Sequence, residues 1–210
     1  MSGSSRQATF PPGVALIERD SSTSTSAELI ALARSGAAAL TLLTTKIQSA
    51  GHGQYGRPFF SPEGGAYFSL LLRPELRASI AEHVTLTAAV AVSEACEAMF
   101  PVTAGIKPVN DVLINRKKVA GILAEAFDGA DGFFVVLGIG VNLATPRDGF
   151  PAEFPNAGAV STLAPDELAP NAIMSFIADT TARFLRYFDL PYETVRREYD
   201  ARLLNSYYSE

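Results

Sequence analysis

The chain has 210 residues, of which 48% are hydrophobic, so it is long enough for one globular domain with a sizeable core. Its net charge of −5 argues against a nucleic-acid-binding surface, which is normally basic. Because no apolar run reaches the roughly 18 residues that span a bilayer, and the polar N-terminus lacks the apolar core of a signal peptide, we expect a cytoplasmic protein without a membrane partner.

The first half of the chain combines strands with helices. Residues 1–12 are polar and predict a flexible arm, so the folded domain is expected to comprise residues 13–210. A Ser/Thr-rich run then offers hydroxyls that can cap a helix starting at Ala27, and apolar residues at helical spacing predict a long core helix over Ile80–Phe100. Short runs of β-branched and aromatic residues predict strands at Val14–Ile17, Ala39–Thr45 and Tyr67–Leu72.

The second half of the chain predicts a group of strands followed by two helices. Turn signals separate strand-like runs at Val112–Ile114, Val119–Ala126 and Phe133–Val141, which we expect to pair as an antiparallel meander. Helical runs follow at Ala172–Phe188 and Tyr192–Leu204. These elements together predict an α+β fold, with a mixed, mainly antiparallel sheet and helices packed on one face.

The long loop over residues 46–65 is the first candidate for ligand binding. It contains the run Gly51-His52-Gly53-Gln54-Tyr55-Gly56-Arg57, in which glycines alternate with larger side chains. Such a backbone can pass close to a ligand and present N–H groups to an anion. The spacing fits neither a P-loop nor a dinucleotide-binding fingerprint. From the residues alone, a ligand lid and an ordinary mobile loop are equally open.

Polar residues at strand ends are the second candidate. Lys118 starts a predicted strand, where its ammonium group can reach a site at the end of the sheet. Asn110 and Asp111 start the preceding strand, so Asp111 could lie near Lys118 across the hairpin. A solvated lysine and a surface ion pair are the ordinary alternatives. Asn142 ends a strand whose alternating glycines leave room for a flat ligand.

Four motifs in this order resemble the catalytic domain of biotin protein ligases, over roughly Val14–Leu204. They are the glycine loop that begins at Gln48, Lys107-Pro108-Val109-Asn110-Asp111, Lys118-Val119-Ala120-Gly121-Ile122-Leu123 and Gly138-Ile139-Gly140-Val141-Asn142. The resemblance implies the fold of the biotin/lipoate ligase superfamily, which is like that of class II aminoacyl-tRNA synthetases. It also implies a two-step ligase that forms biotinyl-5′-AMP from biotin, ATP and Mg²⁺, then transfers biotin to a lysine of a biotin carboxyl carrier domain.

The same resemblance implies a role for each matching residue. The residues that would bind biotin are Ser22, Thr23, Gln48, Gly51, His52, Lys118 and Gly121. Those that would bind the nucleotide are Gln54, Phe59, Asn110 and Asn142. Catalysis would rest on Lys118, Arg57 and Asp111: Lys118 would bind the biotin carboxylate and the α-phosphate, and Asp111 would lie at the Mg²⁺. From its position alone, we further expect Asp111 to accept the proton that the acceptor lysine loses.

The chain departs from the family pattern in two ways. His52, Gln54 and Tyr55 stand where the family usually has arginines, so Arg57 is the one arginine left in the loop and we expect the adenylate to leak. We also expect neither an N-terminal helix-turn-helix domain nor a C-terminal SH3-like domain, and therefore no repressor activity. The resemblance allows a homodimer through a sheet edge.

Two other functions are open at this point. A lipoate or octanoate ligase or transferase of the same superfamily would share the fold and the strand lysine, but would need an apolar tunnel instead of hydrogen-bonding groups. Octanoyl transferases also use a cysteine nucleophile, for which Cys96 on a core helix is poorly placed. The third possibility is a biotin-binding module without catalysis, which would bind biotin and release no pyrophosphate.

Overall fold

The computed structural model describes residues 8–75, 80–130 and 132–204. Residues 1–7 of the predicted arm lie outside this part of the chain. The described strands are β1 (Ala15–Ser22), β2 (Thr41–Gln48), β3 (Ala66–Leu72), β4 (Gly105–Lys107), β5 (Asp111–Ile114), β6 (Lys117–Gly129) and β7 (Gly132–Val141). The described helices are α1 (Thr25–Arg34), α2 (Ile80–Met99), α3 (Ala172–Phe188) and α4 (Tyr192–Asp200).

The strands form one sheet with the order β1-β2-β3-β7-β6-β5-β4. β1 is parallel to β2, and every other neighbouring pair is antiparallel. The parallel pair follows from α1, because two parallel strands need a crossover connection between them. The predicted mixed, mainly antiparallel sheet is therefore confirmed, as is the meander of β5, β6 and β7. The three-residue strand β4 was not predicted from the sequence.

Helices cover both faces of the sheet. Leu70 of β3 and Leu137 of β7 face the core with α2, α3 and α4, whereas Leu71 and Val136 face Leu29 of α1. The prediction that the helices pack on one face of the sheet is confirmed for α2, α3 and α4. It is wrong for α1, which packs on the opposite face. The physical reason is that all seven residues of β3 are buried, and a central strand that is apolar on both faces needs cover on both.

Two of the helix boundaries that differ from the sequence prediction matter for the sheet. α1 begins at Thr25, two residues before the expected Ala27, because Ser24 caps it by accepting a hydrogen bond from the Ala27 amide at 3.4 Å. α4 ends at Asp200 instead of Leu204. Leu203 then forms a parallel bridge with Ile106, which covers the outer edge of β4.

The core helix α2 contains Cys96, which is fully buried. Burial, with a smaller contribution from the charge of Glu97, raises the pKa of the Cys96 thiol to about 12. The thiol stays protonated at neutral pH and is a poor nucleophile. Of the helices in the described ranges, none combines the length and apolarity needed to cross a membrane.

A charged cluster around Glu94 of α2 holds α3 and the residues after α4 in place. Its carboxylate accepts hydrogen bonds from Tyr187 at 2.6 Å and from Arg183 at 2.9 Å. Arg186 and Arg202 also reach it, at 3.2 and 3.3 Å. Burial alone would raise the pKa of Glu94, but these hydrogen bonds and the arginine charges lower it below its ordinary value.

Glu94→Gln should lower the free energy of unfolding by about 1–3 kcal/mol at pH 7, because the arginines lose a charged acceptor. The folded-state pKa is depressed, so the stabilisation by Glu94 is fully present above its ordinary pKa of 4.5 and is lost as the pH falls through the folded-state value. Urea unfolding at a series of pH values should therefore show the two proteins converging in acid. Glu82→Gln, in an exposed pair with Tyr192, is the control, and a pH-independent difference for Glu94→Gln would contradict the assignment.

Candidate active site

A cleft opens where β6 begins and β7 ends, on the face of the sheet that α1 covers. The first turn of α1 and the end of β2 form its side, and the glycine loop, which we call the lid (residues 51–59), forms its roof. The cleft brings together nine of the residues predicted from the sequence, namely Gln48, His52, Gln54, Arg57, Phe59, Asn110, Asp111, Lys118 and Gly121. With residues 24–26 and 138–140, which also line the cleft, five separate segments of the chain converge on one space.

The floor of the cleft is a patch of glycine backbone. Gly121 of β6 pairs with Gly140 of β7, and Gly138 lies one pleat further along β7. A Cβ atom on Gly140 would lie 2.6 Å from the Phe59 ring, and one on Gly121 would lie 3.1 Å from it. A Cβ atom on Gly138 would overlap the Ser26 hydroxyl of α1. The glycines therefore allow the lid and α1 to approach the sheet closely.

Lys118 and Asp111 form an ion pair at the rim of this floor. The Nζ atom of Lys118 lies 2.5 Å from Oδ1 of Asp111, and the two side chains are 38% and 22% exposed. An irregularity in the pairing of β5 with β6, between Val112 and Leu113, separates the Asp111–Gly121 pair from the Leu113–Lys118 pair. The predicted proximity across the hairpin is present, and the partly exposed ammonium group is accessible to an anion from the cleft.

A chain of hydrogen bonds lines the opposite end of the cleft. Ser69 of β3 donates to Thr25 at 2.8 Å, and Thr25 donates through its hydroxyl to Oε1 of Gln48 at 3.2 Å. The Thr25 amide donates to the same oxygen at 2.9 Å. The Ser26 and Ser69 hydroxyls lie 3.0 Å apart, and Nε2 of Gln48 donates to Ser61 at 3.0 Å.

Counting protons shows which group donates and which accepts in each of these hydrogen bonds. Each hydroxyl has one proton, and Ser69 gives its proton to Thr25, so Ser26 must donate to Ser69. Ser26 can then offer the cleft only its acceptor lone pairs. Gln48, by contrast, retains a second N–H donor after its bond to Ser61. This end of the cleft therefore combines an acceptor and a donor.

Ser22 and Thr23 do not lie in the cleft, which corrects the sequence prediction. The Ser22 hydroxyl donates to Glu28 at 3.1 Å, and Thr23 is exposed. Their place is taken by the next three residues, Ser24, Thr25 and Ser26. Six consecutive hydroxyl residues made the register ambiguous in the sequence, and the N-cap at Ser24 decides it.

Sequence reasoning also missed Ser69. Its strand, β3, reads Ala-Tyr-Phe-Ser-Leu-Leu-Leu, and a serine in the middle of an apolar strand was a usable signal for a buried polar site. Ser69 is completely buried. Buried hydroxyls need hydrogen-bond partners, and Ser69 finds them in Thr25 and Ser26.

Two further predicted residues lie outside the cleft lining. Gly51 lies behind Gln48, where a Cβ atom would come within 2.8 Å of both the Gln48 amide and the Ser61 hydroxyl. Asn142 is buried, and its Nδ2 donates to the carbonyl of Gly158 at 3.0 Å. Oδ1 of Asn142 has no hydrogen-bond partner in the described part of the chain. Asn110, in contrast, lines the cleft, held by a 2.6 Å hydrogen bond from its Nδ2 to the Ile122 carbonyl.

The tip of the lid is exposed, whereas Arg57 and Phe59 also line the cleft. A single turn of 3₁₀ helix at Gln54–Gly56 forms its tip, and Tyr55 at that tip is 92% exposed with a φ of 59°. The guanidinium group of Arg57 lies 5.9 Å from the centre of the Tyr55 ring. His52 pairs with Pro58 in an isolated bridge that closes the base of the turn. The loop thus forms a roof over the cleft.

The sequence of the chain is similar to those of a known protein family. Residues 16–142 match the model of the biotin/lipoate A/B protein ligase family. The chain is 40% identical over 143 residues to the bifunctional ligase/repressor BirA of Bacillus spizizenii, covering 67% of this chain and 44% of that one. It is 39% identical over 140 residues to the biotin–acetyl-CoA-carboxylase ligase of Paracoccus denitrificans, covering 65% and 55%. The chain spans about half the length of these relatives.

A solved structure shows the same fold. The biotin protein ligase of Aquifex aeolicus, in complex with biotin and ATP, matches with a TM-score of 0.73 and 24% identity, covering 90% of this chain and 78% of that one. At this identity the likeness concerns the fold, and the sheet with its helices is shared.

Gly138→Ala should destabilise the protein by about 1–3 kcal/mol, because the added methyl group overlaps the Ser26 hydroxyl in a packed contact. Ser26→Ala in the same background should restore part of the loss, since it removes the overlapping oxygen. Gly53→Ala is the control, because its Cβ would meet nothing closer than 3.9 Å. Urea unfolding of the wild type, the single variants Gly138→Ala and Ser26→Ala and the double variant measures the coupling, and additive effects of the two substitutions would refute the contact.

Proposed function

Since the chain belongs to the biotin/lipoate A/B protein ligase family, we propose that it activates biotin with ATP and transfers it to a lysine of a biotin carboxyl carrier domain. The observation that carries this proposal is the polarity of the cleft. One end offers hydrogen-bonding groups at Ser26 and Gln48, and the other offers the ammonium group of Lys118. A ligand that fits has a neutral polar head and an anionic tail, as biotin has.

The polar end favours biotin over a fatty acid. A ureido ring has two N–H donors and one carbonyl acceptor, which match the Ser26 lone pairs and the remaining Gln48 N–H. An octanoyl or lipoyl chain would leave the free lone pairs of Ser26 and the second N–H of Gln48 unmatched, and sites built for hydrogen bonds reject such ligands strongly. Ser24, Thr25 and Ser26 thus take the role that the sequence assigned to Ser22 and Thr23, while His52 and Gly121 line the same space.

The first step joins two anions. An oxygen of the biotin carboxylate forms a bond to the α-phosphorus of ATP, the bond from that phosphorus to the bridging oxygen breaks, and pyrophosphate leaves. Fixed positive charge assists this step more than covalent catalysis does. Lys118 would exchange Asp111 for the substrate anions, and Arg57 would add a second cation from the lid.

The nucleotide would lie beside Phe59, Gln54 and Asn110. Phe59 offers an aromatic face for the adenine ring, and Oδ1 of Asn142 is a buried acceptor that could bind the adenine amino group. In the described ranges no cluster of three or more His, Cys, Asp or Glu side chains could hold a metal ion by itself. Mg²⁺ would fit here with Asp111 as the one protein carboxylate, because Mg²⁺ commonly binds one or two carboxylates together with substrate phosphates; it would neutralise phosphate charge.

In the second step the acceptor lysine attacks the carbonyl carbon of the adenylate. The ammonium group of the lysine first loses one proton and becomes a neutral amine. The amine forms the nitrogen–carbon bond, the carbon–oxygen bond to phosphate breaks, AMP leaves, and the nitrogen loses a second proton to solvent. Asp111 is the one carboxylate among the described residues that line the cleft, and it would accept the first proton. The acceptor would be a carrier domain of a biotin-dependent carboxylase. A homodimer would use a sheet edge such as the outer edge of β6 beyond Gly121, which β5 does not pair.

The test is biotin-dependent release of pyrophosphate from ATP and Mg²⁺. Lys118→Ala should lower the rate about 10²- to 10³-fold, the size of effect seen when one preorganised electrostatic contact is lost. Lys46→Ala, which removes a lysine from an exposed pair with Asp20, should have no effect. Release with octanoate or lipoate in place of biotin would favour a fatty-acid ligase, and biotin binding without any release would favour a binding module.

Asp111→Asn tests the second step separately. With preformed biotinyl-5′-AMP and a carrier domain, the variant should transfer biotin about 10²-fold more slowly at pH 7, because no carboxylate accepts the proton. The defect should shrink as the pH rises, since more of the acceptor lysine is then already deprotonated. An unchanged transfer rate at pH 7 would remove this role from Asp111.

A further inference from the structure

The turn between β4 and β5 carries polar residues to the cleft. β4 ends at Lys107 and β5 begins at Asp111, and these two residues pair. The turn between them consists of Pro108, Val109 and Asn110, and both Asn110 and Asp111 line the cleft. Because β4 has three residues and β5 has four, so short a hairpin is held weakly by its own hydrogen bonds. Its position in the cleft therefore depends on contacts with other elements.

The first of these contacts comes from β6. The Ile122 amide donates to the Asn110 carbonyl at 3.0 Å, and Nδ2 of Asn110 donates to the Ile122 carbonyl at 2.6 Å. Both backbone polar groups of one β6 residue thus bind Asn110. The turn cannot move away from β6 without breaking this pair of hydrogen bonds.

The second contact comes from α4. The hydroxyl group of Tyr199 donates to the Val109 carbonyl at 3.0 Å. Tyr199 is 4% exposed and belongs to the main core, so its ring is held in place by packing. The Val109 side chain is 50% exposed, and its own packing contributes little to the position of the turn. Two consecutive carbonyl groups, those of Val109 and Asn110, therefore have donors from two different elements.

The residues after α4 also hold the strand that leads into the turn. The Ile106 amide donates to the Arg202 carbonyl at 2.8 Å, and the Leu204 amide donates to the Ile106 carbonyl at 3.0 Å. These bonds fix β4 along its outer edge. The bond from Tyr199 to Val109 extends the same attachment from the strand to the turn.

We propose that Tyr199 is a positioning residue whose hydroxyl group fixes the turn, so that Asn110 and Asp111 keep the geometry that binds the nucleotide. This inference rests on the proposed function for its ligand. Asp111 directly follows the turn and pairs with Lys118, so a displacement of the turn changes where its carboxylate lies. Tyr199 does not line the cleft and acts through the backbone of Val109. Binding groups are effective when neighbouring contacts hold their geometry.

The first test needs no substrate. Tyr199→Phe keeps the buried ring and removes only the donor to Val109. The Ile122 amide reports the turn, because it donates to the Asn110 carbonyl. Its hydrogen exchange, followed by NMR, should rise about 2- to 10-fold more than that of the β7 amides, which report general unfolding. A rise at Ile122 no larger than the rise in β7 would overturn the proposal.

The matched control is another tyrosine of the same helix. Tyr192 begins α4, and its hydroxyl group donates to Glu82 at 2.7 Å. Tyr192→Phe loses a hydroxyl hydrogen bond in the same way and should leave the relative exchange of Ile122 unchanged. An equal effect of the two substitutions at Ile122 would refute the role of the bond to Val109.

The second test separates binding of the nucleotide from binding of biotin. In biotin-dependent pyrophosphate release, Tyr199→Phe should raise the KM for ATP about 2- to 10-fold. The affinity for biotin, measured without nucleotide, should not change, because Ser26 and Gln48 lie at the other end of the cleft. A lower kcat at an unchanged KM is the result expected from a smaller folded fraction, and it would overturn the positioning role.

The two tests also distinguish this inference from the proposed function. Faster exchange at Ile122 in Tyr199→Phe, without pyrophosphate release from the wild type, would refute the proposed function and support the attachment of the turn to α4. Pyrophosphate release from the wild type, with the same KM for ATP in Tyr199→Phe, would refute the positioning role alone.

Discussion

The cleft depends on the pairing of β6 with β7, which sets glycines side by side on the face that α1 covers. Gly121 pairs with Gly140, and Gly138 lies one pleat away. Side chains at these positions would meet the Phe59 ring and the Ser26 hydroxyl. Because this patch of backbone is bare, an aromatic ring from the lid and the first turn of a helix can both approach it. The lid, the polar end and the cationic rim are all arranged around that patch.

The ion pair between Lys118 and Asp111 at the rim of the cleft is weak enough for another anion to displace the carboxylate. In a chain of net charge −5, the cleft lysine Lys118 is held by Asp111 at 2.5 Å, and both side chains are in part exposed. Ion pairs with this degree of exposure are weak in water. Exchange of the Asp111 carboxylate for a phosphate or a substrate carboxylate therefore costs little. In the proposed function, Lys118 would thus stay paired and in place until an anion enters the cleft.

Most of the architecture follows from local patterns in the sequence. Two local patterns predicted these elements to within a few residues. They are the alternation and apolar runs of β2, β3, β6 and β7 and the helical spacing of α2 and α3. The order of the four motifs identified the family, because each motif is contiguous in the chain. Nine predicted residues also meet in one cleft, since strand ends and hairpins bring neighbouring segments of the sheet together.

Only the tertiary structure decided which hydroxyls face the cleft, on which face of the sheet α1 lies and what residues 150–160 contact. Within six consecutive Ser and Thr residues every register has the same local propensity, and the capping of α1 at Ser24 selects Thr25 and Ser26. The fully buried strand β3 needs cover on both faces, so α1 lies opposite the other helices. The contacts of Ser69 with α1 and of Phe60 with Phe154 join residues more than 40 positions apart. Sequence patterns report preferences over a few neighbouring residues, and contacts across such distances exist only once the sheet has formed.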